Sequence, residues 1–417
     1  MGYPKTERST IPLLTEIAIL ILIALLGNFI FLKCGLPGIL GMIAAGVLLG
    51  PSGFQMLSPE VIMLLKEFKT VALIVILIRA GLGISKATLN RIGGPAIRMG
   101  FIPCLAEGTV ITLAAHWLLN FSFFEAGMLG FIIAAVSPAV VVPQMLELKE
   151  HGFGKSKEVP TLILAGASVD DVFAITIFGA FASLASGASA NWLKLAVSLP
   201  AGILIGGGIG ILIGYLLVGF FKRYHLRDTK KIILFMIIAV IFYNLCESPQ
   251  VQRIVPIAAL LGIMAIGFVI LERYDVLANR LAVKFQKIWV LAEILLFAYI
   301  GAEVQLRELT ADIVGIGLLI LLIGLVARSC GVWASLLSSP LNSRERVFCM
   351  ISYLPKATVQ AAMGAVPLSM ILDGKMTSMS MASGKTILAI AVLSIVVTAP
   401  LGAIGVKISG PKLLEKD

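Results

Sequence analysis

Residues 134–143 read AAVSPAVVVP and residues 352–361 read SYLPKATVQA. Each stretch lies in the middle of an apolar run that is long enough to cross a bilayer. Each contains a proline away from the ends of that run, and a proline inside a helix removes a backbone hydrogen bond and kinks or breaks the helix. The two stretches therefore predict two helices that are interrupted near the middle of a membrane.

The composition predicts a polytopic helical membrane protein. The chain has 417 residues, of which 59% are hydrophobic and 13% charged, and its mean hydropathy is +1.02. A soluble domain has about 45–50% apolar and about 25% charged residues, so the composition argues against a soluble enzyme and excludes a disordered chain. The net charge of +10 is therefore not a sign of nucleic-acid binding. The five cysteines are scattered without a CxxC pair, so we expect neither a disulfide framework nor a metal cluster, and no cofactor.

Hydropathy predicts thirteen membrane spans joined by short connections. They lie near residues 11–32, 36–57, 69–84, 93–119, 125–148, 159–186, 192–221, 230–246, 253–272, 284–306, 313–337, 344–369 and 384–406. Cytoplasmic loops carry an excess of Lys and Arg, which gives the orientation. With the N-terminus outside and the C-terminus in the cytoplasm, the inner loops hold 20 of the 33 basic residues and the outer loops hold 9.

Thirteen spans divide into two halves of six with one span between them. Corresponding spans of the two halves are then seven spans apart. Because consecutive spans cross the membrane in opposite directions, spans separated by an odd number run in opposite directions, so any repeat is inverted. The two proline-interrupted spans are both the fifth member of their half. Interrupted spans in corresponding positions are the best sequence indication of a transporter binding site.

Charged residues at mid-membrane depth identify the candidate site. Glu107 lies in the fourth span, Asp170 and Asp171 in the sixth, Arg328 in the eleventh and Lys356 in the twelfth. Each lies roughly 17–22 Å along its span at about 1.5 Å per residue. A charge at this depth costs about 2.5–3.5 kcal/mol on insertion scales, so it needs a partner or a function.

Three acidic residues face two basic ones, so one carboxylate has no fixed partner. Such a carboxylate can bind a proton or a hard cation, and Na⁺ or Li⁺ requires oxygen ligands in the way that Ca²⁺ and Mg²⁺ do. The interrupted helices offer backbone carbonyls, with the Ser137 and Thr358 hydroxyls nearby in sequence.

Structural interpretations of these residues stay open beside the functional ones. Asp170 and Asp171 can be a polar pair that packs helices, and Glu107 with Arg328 can be a buried ion pair that fixes packing. Lys356 is expected to pair with Asp170, and whether its proton moves stays open.

Five strings resemble the NHA branch of the monovalent cation/proton antiporters, and the resemblance runs from about the second span to the C-terminus. They are VSPAVVVP at 136–143, the pair at 170–171, GAEV at 301–304, LPKATVQAA at 354–362 and TAPLG at 398–402. Long ungapped strings of this kind are far more specific than a pair of aspartates. The short segment before the first span is similar to that of a bacterial member, which implies the bacterial inner membrane.

The resemblance implies an all-α fold of about thirteen transmembrane helices in two six-helix inverted repeats with crossed discontinuous helices. It implies a scaffold that forms a homodimer, a moving core and a linker helix. The scaffold would comprise residues 11–84 and 230–306, the core residues 93–186 and 313–406, and the linker residues 192–221.

The resemblance also assigns roles to residues. Asp171 would be the main ion and proton carboxylate, Lys356 would pair with Asp170, and Glu107 would pair with Arg328. The predicted ion- and proton-binding set is Asp171, Asp170, Ser137, Val136 and Thr358, with both aspartates binding Na⁺ or Li⁺.

The function expected is a secondary transporter, not an enzyme, that exchanges Na⁺ or Li⁺ for H⁺ by alternating access. Its partners would be monovalent cations, protons, membrane lipid and a second copy of the chain, and not nucleic acid. Three alternatives remain: a K⁺/H⁺ antiporter, a sodium-coupled organic-solute symporter and an intramembrane hydrolase. The hydrolase is disfavoured because no HExxH motif or Ser/His pair lies mid-span.

Overall fold

A computed structural model describes residues 12–34, 36–83, 86–186, 192–248, 250–251, 257–304, 311–374, 376 and 379–416. These residues form an all-helical membrane protein. In chain order, the helices are α1 (Leu13–Lys33), α2 (Gly38–Leu49), α3 (Pro59–Gly81), α4 (Lys86–Leu118), α5 (Phe123–Ile133), α6 (Pro138–Glu150), α7 (Val159–Ala185), α8 (Trp192–Arg223), α9 (Asp228–Cys246), α10 (Ala259–Arg273), α11 (Asp275–Ala302), α12 (Ala311–Ser335), α13 (Ser343–Ser352), α14 (Thr358–Met363), α15 (Val366–Leu372) and α16 (Met381–Leu413).

Each of the thirteen predicted spans overlaps one of these helices or one interrupted group of them. Within the described residues, eight helical stretches are long and apolar enough to cross a membrane. The number thirteen and the inverted repeat therefore stay predictions. Residues 253–256 and 305–306, at the ends of two predicted spans, lie outside the described residues, as do residues 11 and 84.

Several helices do not end where hydropathy places the end. Helix α3 begins at Pro59 and helix α11 at Asp275, well before the predicted residues 69 and 284. The added turns are rich in charged residues, which a hydropathy profile rejects but a helix accepts. Helix α2 instead stops early, at Leu49, where Gly50 and Pro51 follow.

The chain divides into two compact units, and the first comprises Met1–Leu73 and Ile288–Glu308. In its core, leucines of α1, α2 and α3 pack against Leu295, Ala298 and Tyr299 of α11. Helices α2 and α11 approach so closely that side chains are excluded. A Cβ on Gly46 would lie 2.0 Å from the Ala298 carbonyl oxygen, and a Cβ on Gly301 would lie 2.0 Å from the Ile43 carbonyl oxygen.

The second unit comprises Ile74–Lys287 and Leu309–Asp417. Here α4 packs against α5, α7 and α12, and α8 packs against α10. Glycines again set the closest approach, since a Cβ on Gly210 of α8 would lie 2.2 Å from the Gly262 carbonyl oxygen. This grouping combines segments that the sequence assigns to both scaffold and core, and the predicted division stays a prediction.

Two helical segments are interrupted where the sequence predicts. Helix α5 starts with a capping box of Ser122 and Glu125, stops at Ile133, and resumes as α6 at Pro138. Helix α13 starts with a second capping box and stops at Ser352, and α14 begins only at Thr358. Proline is favoured in the first turn of a helix, where its missing N–H is not needed, so Pro138 begins α6 instead of kinking a longer helix.

Candidate functional site

The two interruptions contact each other. The Ser137 amide donates a hydrogen bond to the Pro355 carbonyl oxygen at 2.8 Å, which joins the non-helical residues of one interrupted helix to those of the other. The last carbonyls of a helix have no partner within it. Here the Gln360 amide nitrogen lies 2.9 Å from the Ile132 oxygen and 3.0 Å from the Ala135 oxygen. The contact between residues 132–137 and residues 355–360, which we name the crossing, therefore satisfies backbone groups that neither interrupted helix could satisfy alone.

A network of four fully buried charged side chains lies beside this crossing. Glu107 Oε2 is 2.8 Å from Arg328 Nη1 and 2.5 Å from Lys356 Nζ. Arg328 Nη2 is 3.0 Å from Asp170 Oδ2. All four side chains have 0% exposure, so each charge depends on the others for compensation. The network joins α4, α7, α12 and the second interruption.

Lys356 has a different partner from the one expected. In the described residues, its ion pair is with Glu107, whereas Asp170 pairs with Arg328. The reason is the donor geometry of arginine, whose planar guanidinium can reach two carboxylates at once. Asp170 Oδ2 also accepts a hydrogen bond from the Val136 amide at 2.7 Å. The Lys356 ammonium lies on Glu107 Oε2, the oxygen that also accepts from Arg328 Nη1, and Asp170 Oδ1 has no partner among the described residues.

Asp171 is adjacent to the network but not part of it. Its side chain is buried, and its Oδ1 atom has no hydrogen-bond partner among the described residues. The Ser137 and Thr358 hydroxyls are also buried and without partners in that part of the chain. Of the five predicted ion-binding residues, Val136 uses its amide to bind Asp170. The other four all carry a buried side-chain oxygen without a partner among the described residues.

Three residues of the site had no role assigned from the sequence. Gln360 caps the end of α5, and the Tyr353 carbonyl accepts from Arg328 Nε at 2.6 Å. Thr398 of α16 accepts a hydrogen bond from the Lys356 amide at 2.9 Å. Gln360 and Thr398 were detectable as polar residues in apolar spans, but the backbone contact of Tyr353 leaves no sequence signal.

The sequence matches the family described as sodium/hydrogen exchanger, transmembrane, over residues 18–409. It is 33% identical to sodium/hydrogen exchanger 9B2 of Xenopus tropicalis over 358 residues, which cover 84% of this chain and 64% of that protein. It is 31% identical to the human exchanger 9B2 over 388 residues, covering 91% of this chain and 70% of the relative. The chain thus spans slightly less than two thirds of the frog relative.

A solved structure shares the fold. The sodium proton antiporter MjNhaP1 from Methanocaldococcus jannaschii superimposes with a TM-score of 0.76 over 96% of this chain and 98% of that one, at 18% identity. At this identity the likeness concerns the fold.

Fold and site together define an integral helical membrane protein whose two interrupted helices contact each other beside a buried charge network. The chain belongs to the sodium/hydrogen exchanger family. This confirms the sequence-based identification of the cation/proton antiporter superfamily.

Proposed function

We propose that the protein is a secondary antiporter that exchanges Na⁺ or Li⁺ for H⁺, with Asp171 as the carboxylate that binds either ion. The observation that best supports this assignment is that Asp171 is a buried carboxylate outside the ion-pair network. Names of the relatives support the ion class, since they are called sodium/hydrogen exchangers.

The arrangement supports a coupled exchange. An unpaired buried carboxylate is strongly disfavoured, so Asp171 needs either a proton or a cation during any conformational change. Asp170 is held by Arg328 and the Val136 amide, which leaves Asp171 to alternate between the two ions. Oxygens of Asp171, Ser137 and Thr358 have no partners among the described residues, and they are the type of ligand that a hard cation needs.

We further propose that transport occurs by alternating access in a homodimer with the N-terminus outside. Residues 93–186 and 313–406 would move as the core, residues 11–84 and 230–306 would form the dimer scaffold, and residues 192–221 would link the inverted repeats. The distribution of basic residues supports the orientation, and the interrupted helices support a site of the transporter type.

The test is proton flux in proteoliposomes, reported by a pH-sensitive dye, on addition of Na⁺, Li⁺ or K⁺. We expect Na⁺ and Li⁺ to elicit proton movement in the wild type and Asp171→Asn to abolish it while still folding. Asp312→Asn is the matched control, because Asp312 is exposed in the first turn of α12. Cation-dependent flux that persists in Asp171→Asn would refute the site. A response to K⁺ alone would establish the K⁺/H⁺ alternative, and no response to any cation would refute antiport.

A further inference from the structure

Gln360 is held in one orientation. It is the third residue of α14 and 1% exposed. Its Nε2 lies 2.9 Å from the Ile132 oxygen, 3.3 Å from the Ile133 oxygen and 3.0 Å from the Ala135 oxygen. Only the nitrogen of the amide can donate to carbonyls, so the assignment of nitrogen and oxygen is determined by these contacts.

The amide oxygen of Gln360 is therefore turned away from the α5 carbonyls. It is buried and has no hydrogen-bond partner in the described part of the chain. A buried polar atom of this kind is disfavoured unless something binds it. Near it in the two interruptions and the buried network, the other buried side-chain oxygens without a partner among the described residues are Glu107 Oε1, Ser137 Oγ, Asp170 Oδ1, Asp171 Oδ1, Tyr353 Oη and Thr358 Oγ1.

A single peptide group links Gln360 to the aspartate pair. The carbonyl of Ala135 accepts the hydrogen bond from Gln360, and the amide of the same peptide, on Val136, donates to Asp170 Oδ2 at 2.7 Å. Asp171 is the next residue of α7. The side-chain amide of Gln360 is thus hydrogen-bonded to the backbone segment that binds Asp170, the residue before Asp171.

We propose that Gln360 determines the cation specificity of the site, with its Oε1 serving as a neutral oxygen ligand for a dehydrated monovalent cation bound at Asp171. This inference rests on the proposed function. Nε2 supplies the rigid anchoring, and Oε1 adds a ligand without adding charge. Selectivity between cations depends on cavity size and ligand number, so loss of one neutral ligand should weaken Na⁺ binding more than binding of the smaller Li⁺.

The experiment measures thermal stabilisation of the purified full chain as NaCl, LiCl or KCl replaces choline chloride at constant ionic strength. Gln360→Met has a similar length but lacks both polar atoms. The midpoint of each titration is the cation concentration that gives half of the maximal rise in melting temperature. In Gln360→Met we expect the Na⁺ midpoint to rise by about tenfold or more, as when a supporting group of a metal site is lost. We also expect the ratio of the Na⁺ midpoint to the Li⁺ midpoint to rise. Gln144→Met is the matched control, since the Gln144 side chain donates to the Val140 carbonyl of its own helix, and the cation concentrations that give half-maximal stabilisation should not change in this variant.

A lower melting temperature of Gln360→Met with unchanged midpoints and an unchanged ratio would show that Gln360 only caps α5, and would overturn the inference. If Gln360→Met does not fold, Gln360→Asn keeps the amide but shortens its reach, and unchanged midpoints in that variant would overturn it equally. A wild type that no cation stabilises would overturn the proposed function together with this inference. A normal wild-type response with unchanged variants would overturn the inference alone.

Discussion

At the scale of single residues, Arg328 organises the site. Its Nε donates to the Tyr353 carbonyl, its Nη1 donates to Glu107 and to the Ala134 carbonyl, and its Nη2 donates to Asp170. A guanidinium offers five donors in a fixed plane, which a lysine ammonium cannot reproduce. Arg328 therefore holds the end of one interrupted helix, the start of the other interruption and two carboxylates in one arrangement.

Removal of Arg328 should destabilise the protein more than removal of Arg328 and Glu107 together. The single variant Arg328→Ala leaves two buried carboxylates, Glu107 and Asp170, with one positive charge, that of Lys356. The double variant leaves one positive charge on Lys356 and one negative charge on Asp170, so the net charge of the network stays zero. Stranding a buried charge costs about 3–5 kcal/mol. Thermal melts in detergent of Arg328→Ala, Glu107→Ala and the double variant measure this. Strictly additive losses would contradict the pairing.

Protons and cations should compete at Asp171. If both bind one carboxylate, lowering the pH below the pKa of that group should raise the apparent KM for Na⁺ about tenfold per pH unit, as proton linkage requires. The maximal rate at saturating Na⁺ should change little. Initial rates in proteoliposomes across a pH series test this. A maximal rate that collapses at low pH with a constant KM would instead indicate a separate pH-sensing group.

At the scale of helices, the second interruption depends on a glycine of α16. A Cβ on Gly402 would lie 2.3 Å from Pro355 Cγ and 2.7 Å from Pro355 Cδ. The proline ring is rigid and cannot rotate away, and Pro355 accepts the hydrogen bond from Ser137 that joins the two interruptions. The absence of a side chain at Gly402 thus permits the crossing.

Gly402→Ala should lower both thermal stability and transport. Overpacking of a closely packed site costs about 1–3 kcal/mol, and a shift of Pro355 would disturb the backbone of the crossing. Gly315→Ala in α12 is the control, because its Cβ would meet no atom within 4 Å and alanine in a helix is favoured by about 0.5–1 kcal/mol. Equal effects of the two variants on melting and flux would contradict this role for Gly402.

The sequence was sufficient to predict the two interruptions and the buried charges, because proline and mid-span charge have local physical consequences. Helix ends were harder to predict, as α3 and α11 show, because a helix continues through polar residues that hydropathy excludes. The partner of Lys356 could not be predicted, since it depends on distances among four side chains that come from separate segments of the chain. The role of Gln360 could not be predicted for the same reason, because it depends on carbonyls more than 200 residues away in the sequence.

At the scale of the molecule, all residues of the site belong to the second compact unit. Further contacts in this unit join the segment between α6 and α7 to other helices. The Gly154 amide donates to the Glu415 carbonyl at 2.7 Å, and Lys157 Nζ lies 3.0 Å from Glu345 Oε1 at the start of α13. The segment between α6, which begins at Pro138, and α7, which carries Asp171, is thereby joined to α13 and to the residues that follow α16.

The composition of the buried network has an electrical consequence. Two cationic and two anionic side chains sum to zero, and Asp171 is neutral when a proton or a monovalent cation is bound. The free energy of one elementary charge changes by about 2.3 kcal/mol per 100 mV when it crosses the membrane potential. The free energy of moving a loaded site of zero net charge does not depend on that potential. We therefore expect one cation exchanged for one proton, at a rate unchanged by a valinomycin-imposed potassium diffusion potential. Lys356→Gln leaves one negative charge and should make the rate voltage-dependent, whereas a wild-type rate that already follows the imposed voltage would contradict a neutral carrier.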